Sequence, residues 1–140
     1  MTDQDPQQTW EDYYRRKRSE RLAEAEILWD QMESAGVNEV TVLALDFVHF
    51  GRNENDARDL SVQLSEHYSV AVEPADQEGY FFVRGTTRPE GITLTKEQHT
   101  GWVEFMCDVA QSYACVFSTW SLEAPKLSKT FPSEDVESAC

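Results

Sequence analysis

A chain of 140 residues with 40% hydrophobic and 11% aromatic side chains is long and apolar enough to bury one core, which excludes disorder throughout. Its formal charge of -14, from 26 acidic and 12 basic side chains, repels nucleic acid and anionic lipid and favours a partner that carries a basic patch. No apolar run approaches the roughly 20 residues that span a bilayer, and the opening MTDQDPQQTW has neither the basic start nor the apolar stretch of a secretory signal.

The three cysteines, Cys107, Cys115 and Cys140, are an odd count without an export signal. Free thiols in a reducing compartment, and hence a cytoplasmic location, are expected. Residues 1 to 21 hold five acids and five bases, so the whole net charge falls on residues 22 to 140.

Residues 1–8 are polar and expected to be disordered. Residues 9–36 read as an N-terminal helix: Trp10 to Ser34 contain no Gly or Pro, and Leu22, Ala25, Leu28, Trp29 and Met32 recur at helical spacing. Gly36 suits the left-handed position just past the helix end. The first half of this helix carries Arg15, Arg16, Lys17 and Arg18 and lacks a comparable stripe, so it is expected to project from the domain or to swap onto a neighbour.

Residues 37–125 form the body. VTVLALDFVHF (40 to 50) is β-branched and aromatic, with apolar residues in both alternating sets, as a central strand requires. Asn53 or Asn55 then caps a helix with Ala57, Leu60, Leu64 and Tyr68 on one face. SVAVEP and GYFFVRGTT read as a hairpin around ADQE. Thr95 and Gln98 make a capping box that opens a helix with Trp102, Val103, Met106, Val109, Ala110 and Tyr113 on one face. YACVFSTWSLE is the last strand, and residues 126–140 read as a short acidic C-terminal tail with Glu134, Asp135 and Glu137. The order is one helix followed by βαββαβ. An α+β, ferredoxin-like antiparallel sheet is therefore predicted, with strand order 4-1-3-2, helices on one face and an extra N-terminal helix.

No arrangement of chemistry-bearing residues forms a catalytic motif. His49, His67 and His99 have no ligand spacing, and Cys107 and Cys115 are too far apart for the close pairs of zinc sites, so no metal and no cofactor are expected. The cysteines read as buried and the histidines as surface residues. Asp46 interrupts an apolar strand and is expected on its solvent face. The chain is read as a binding protein and not an enzyme. Tyr80 and Phe82 share one strand face, and Phe81 and Val83 the other, so one pair must lie on the helix-free side. Only Arg84 and Arg88 stand near them, too few bases for a nucleic-acid platform, and an amphipathic or protein-binding outer face is expected. The protein-binding acids are expected to be Glu54, Asp56 and Asp59 on one helix, with Glu73, Asp76 and Glu78 near the hairpin turn.

Thr41 to Glu123 resembles the family called regulator of ribonuclease E activity B. The resemblance rests on the strand ending Asp46-Phe47, the helix with Leu60 and Leu64, and Tyr68-Ser69-Val70-Ala71-Val72, where the family has Gly-Tyr before a Val-rich strand. It continues through the helix ending Val109-Ala110 to Phe117-Ser118-Thr119-Trp120. That last stretch has Ser-Thr where the family has Asp-Gly. The resemblance implies a ferredoxin-like fold, no catalytic residues, and a small acidic protein that binds ribonuclease E, inhibits it and modulates RNA degradation. Family members carry a strongly acidic first helix and a long acidic tail, which this chain lacks. Two alternative readings are an immunity protein that neutralises a toxin and a small-molecule-binding domain of the same fold.

Overall fold

The computed structural model describes residues 6–88 and 90–133. The acids expected in the tail and Cys140 lie outside them. The elements are α1 (Pro6–Ser34), β1 (Ala44–Gly51), α2 (Glu54–Leu64), β2 (Ser69–Pro74), β3 (Phe81–Thr86), α3 (Lys96–Ser112), β4 (Cys115–Ala124), a single 3-10 turn (Pro125–Leu127) and β5 (Lys129–Pro132).

Local chemistry sets most of the boundaries. Asn53 is the cap of α2, its side chain accepting the Asp56 N–H at 2.8 Å. Thr95 and Gln98 form both halves of the capping box of α3, at 3.1 and 3.0 Å. Gly36, at φ 104°, lets the chain turn out of α1, a conformation that a Cβ would strain.

The sheet is antiparallel throughout, with five strands in the order β2-β3-β1-β4-β5. Read from the β4 side, the first four strands stand 4-1-3-2. The added β5 makes the sheet as a whole differ from the expected one. Residues 126–140 are thus not simply an acidic tail: Lys129–Pro132 pairs with the end of β4, and Phe131 enters the core. Likewise the helix begins at Pro6, inside the segment read as disordered.

One sheet face is covered by helices. Leu45, Phe47 and His49 of β1, Val83 and Gly85 of β3, and Phe117, Trp120 and Leu122 of β4 are buried there. Above them lie Ala57, Leu60 and Leu64 of α2, Val103, Met106 and Ala110 of α3, and Ala25, Leu28, Trp29 and Met32 of α1. Met106 has no exposed surface, while Trp102 and Val109 pack half-buried against the core. A register shift between Val48 and His49 opposes Ser118 to no partner on β1. This bulge turns both Phe117 and Trp120 inward although they are three residues apart, and their rings stack with centroids 5.3 Å apart.

α1 does not project from the domain. Arg18 bridges to Asp108 and Glu104 of α3, each at 3.0 Å. The buried Arg21 binds both oxygens of the buried Glu24 at 2.8 and 2.9 Å and donates to the Phe117 carbonyl oxygen at 3.1 Å. Arg15 and Lys17 pair with Asp12 and Glu20 on the helix itself. Of the basic run, Arg18 is the residue that ties α1 to α3, while Arg15 and Lys17 pair within α1.

Candidate protein-docking surface

The register brings Glu54, Asp56, Glu73, Asp76 and Glu78 to one end of the sheet, with Asp59 farther along α2. Gly51, the last residue of β1, opposes Phe81, which also opposes Pro74 of β2. The β2–β3 turn, with Asp76 and Glu78, and the start of α2 therefore share that end. The six are not equivalent. Glu54 is held by Arg58 at 2.8 Å, Glu73 by Arg84 at 2.8 Å across the hairpin, and Asp56 accepts the Asn53 side-chain amide at 2.8 Å. Glu54 and Asp56 also sit in the first turn of α2, where the helix dipole favours them. Asp59, Asp76 and Glu78 are exposed and make no ion pair among the described residues. Of the six acids, these three are the ones whose carboxylates make no ion pair and no cap contact among the described residues.

Beside them, the helix-free face of the sheet begins with aromatic rings. Phe50 of β1 stacks on Tyr80 with centroids 5.1 Å apart and lies 6.0 Å from Phe82 of β3. Arg84 stands 5.1 Å over the Phe82 ring. All three rings are half-buried with no helix above them. Of the two hairpin pairs, Tyr80 and Phe82 face outward, because Phe82 opposes Phe50 while Val83 opposes the buried His49. Sequence reading missed Phe50, although its period-2 relation to Asp46 and Val48 places it on the same face.

Farther along the face, small side chains at Ser69, Ala71, Thr86, Thr119 and Ser121 leave a trough of about 570 Å³. Asp46 lies in this face and is half-exposed, accepting the Thr86 hydroxyl at 2.5 Å and the Arg88 guanidinium at 3.2 Å. Arg88 also donates to Glu123 at 2.7 Å, closing the far end with paired charges. At the aromatic end the first turns of α1 extend the surface. Trp10 lies under the Arg52 guanidinium at 3.8 Å, and a cavity of about 300 Å³ opens between Trp10, Tyr13, Phe50, Arg52 and Val116.

Of the histidines and cysteines, His49, His99 and Cys115 are buried and Cys107 is half-buried, in ways that suit packing. His49 and His99 are fully buried and not surface residues as read; His67 alone is exposed. Burial lowers the pKa of His49 to about 3 and that of His99 to about 4, so both rings are neutral. His99 Nε2 accepts the Trp120 indole N–H at 3.1 Å, whereas neither nitrogen of His49 has a partner among the described residues. Burial likewise raises the Cys107 and Cys115 thiols to about 11 and about 12, which keeps them protonated and poor nucleophiles. Among the described residues no group of three His, Cys, Asp or Glu side chains is placed to hold a metal ion, and no helix is long and apolar enough to cross a membrane.

No protein-family model matches the chain, and no curated protein does.

Proposed function

We propose that this chain is a non-catalytic protein-binding regulator with a ferredoxin-like core, and that its partner is a basic protein surface, with ribonuclease E the partner implied by the resemblance. The observation that carries this reading is the pairing of half-exposed Phe50, Tyr80 and Phe82 on the helix-free face with the exposed Asp76 and Glu78 at the same end of the sheet, and with the exposed Asp59 on α2. Aromatic side chains in the centre of a contact supply most of the energy that resists dissociation, and acids at its rim accelerate encounter with Lys- and Arg-rich surfaces that otherwise meet RNA.

The test separates these roles by kinetics on immobilised ribonuclease E at low and physiological salt. Asp59→Lys with Asp76→Lys is expected to slow association about tenfold at low salt and less at physiological salt, where the screening length is about 8 Å. Asp56 is left intact, since its reversal would also remove the Asn53 contact and place a cation at the start of α2. Phe82→Ala is expected to speed dissociation at least about tenfold, as losing an interface anchor does. Absence of binding in either salt would remove ribonuclease E as the partner. Binding that ignores all three substitutions would place the contact elsewhere.

A further inference from the structure

The helix side of the sheet holds a further concavity. α2 and α3 are bridged by two side-chain hydrogen bonds: Trp102 Nε1 donates to Tyr68 Oη just past the end of α2 at 3.0 Å, and Tyr113 Oη donates to Gln63 at 3.3 Å. Where the helices diverge toward the loop before α3, a groove of about 620 Å³ opens, within the range of small-molecule sites. Tyr68, Trp102 and Phe105 supply aromatic walls, and Ile92 and Leu94 close the apolar floor. Phe105 is 48% exposed, an aromatic side chain on a helix surface with nothing packed over it.

The lining holds one carboxylate, that of Glu90, and no Lys or Arg; the exposed His67 is the other titratable side chain in it. Glu90 is exposed and makes no ion pair among the described residues, although Arg88 stands two positions away, because Arg88 is committed to Asp46 and Glu123. An aromatic-walled groove with a single available carboxylate, on a chain of charge -14, suits a cationic ligand better than an anionic one.

We propose that this groove binds a small organic ammonium compound with an apolar body, the body lying against Tyr68, Trp102 and Phe105 and the ammonium meeting Glu90. A carboxylate of the same shape would face Glu90 and be repelled. The Trp102 indole N–H, held in the wall by Tyr68, reports occupancy directly. The site goes beyond the docking reading, and its failure would leave that reading untouched, since it lies on the opposite side of the sheet.

Phenethylamine and hydrocinnamate, cation and anion with similar bodies, are titrated into the full chain while the Trp102 indole N–H resonance is followed. Phenethylamine is expected to shift it saturably and to bind about threefold to fivefold more tightly than hydrocinnamate, the upper part of what one exposed ion pair supplies. Glu90→Gln is expected to abolish that preference, and Phe105→Ala to weaken both ligands. Both residues are exposed, so neither substitution threatens the fold. No saturable shift with phenethylamine, equal affinity for the two ligands, or an amine preference that survives Glu90→Gln would overturn the proposal.

Discussion

Acidification from about pH 6.5 to about pH 4.5 is expected to cost the folded state on the order of 5 kcal/mol through His49 and His99 alone, at about 1.4 kcal/mol per group per pH unit. Both rings are neutral in the folded chain because burial holds their pKa values at about 3 and about 4, against 6.5 for the ordinary side chain. Between those values the unfolded chain binds protons that the folded chain refuses, so stability is complete above the ordinary pKa and falls as the pH falls toward the folded one. Relief of repulsion as surface carboxylates protonate acts in the opposite direction, but it sets in lower and is spread over the surface. Urea unfolding at several pH values measures the slope. His49→Phe removes one of the two groups and also removes two buried nitrogens that have no partner among the described residues. It is expected to halve the slope and to raise stability at neutral pH. His99→Gln tests the second group while keeping an acceptor for the Trp120 indole. An unchanged slope in both variants would mean that other groups carry the acid sensitivity.

Gly85→Val is expected to destabilise the chain by about 3 kcal/mol, the upper part of the usual range for overpacking. The tip of the Phe47 ring lies over Gly85, and a Cβ built there would meet its Cζ atom at 2.2 Å. Phe47 is itself held by Tyr68 at 5.0 Å and Trp102 at 5.9 Å, and β1 lies at the middle of the sheet, so neither ring nor backbone has room to move aside. Phe47→Leu shortens the opposing side chain and is expected to recover part of the loss, which gives a double-mutant cycle with a favourable coupling. Additive losses in that cycle would show that Gly85 is required for another reason.

Local signals were legible and long-range ones were not. Asn53, the Thr95–Gln98 box and Gly36 act within a few residues of themselves, so the boundaries they set could be read directly. Ala25, Leu28, Trp29 and Met32 of α1 and Ala57, Leu60 and Leu64 of α2 follow from helical period, whereas Tyr68, read on the same helix, lies past its end at Leu64 and Leu22 is only partly buried. By contrast, the burial of His49 comes from the strand register and the rings packed on it, which no property of a lone histidine announces. The Ser118 bulge breaks strict alternation and hides the fact that Phe117 and Trp120 share a face. β5 is only four residues long and polar at its start, so its membership of the sheet depends on pairing with β4. In the docking surface, the acids were visible as composition. Their separation into paired Glu54 and Glu73 and available Asp59, Asp76 and Glu78 required the partners Arg58 and Arg84 to be placed in space.

The most direct test of the proposed role is RNA cleavage by purified ribonuclease E in the presence of increasing amounts of this chain. Inhibition that saturates, and that is lost when Tyr80 and Phe82 are both replaced by Ala, is the expected result. Cleavage unaffected by the chain at any concentration, or inhibition that persists without those two rings, would contradict it.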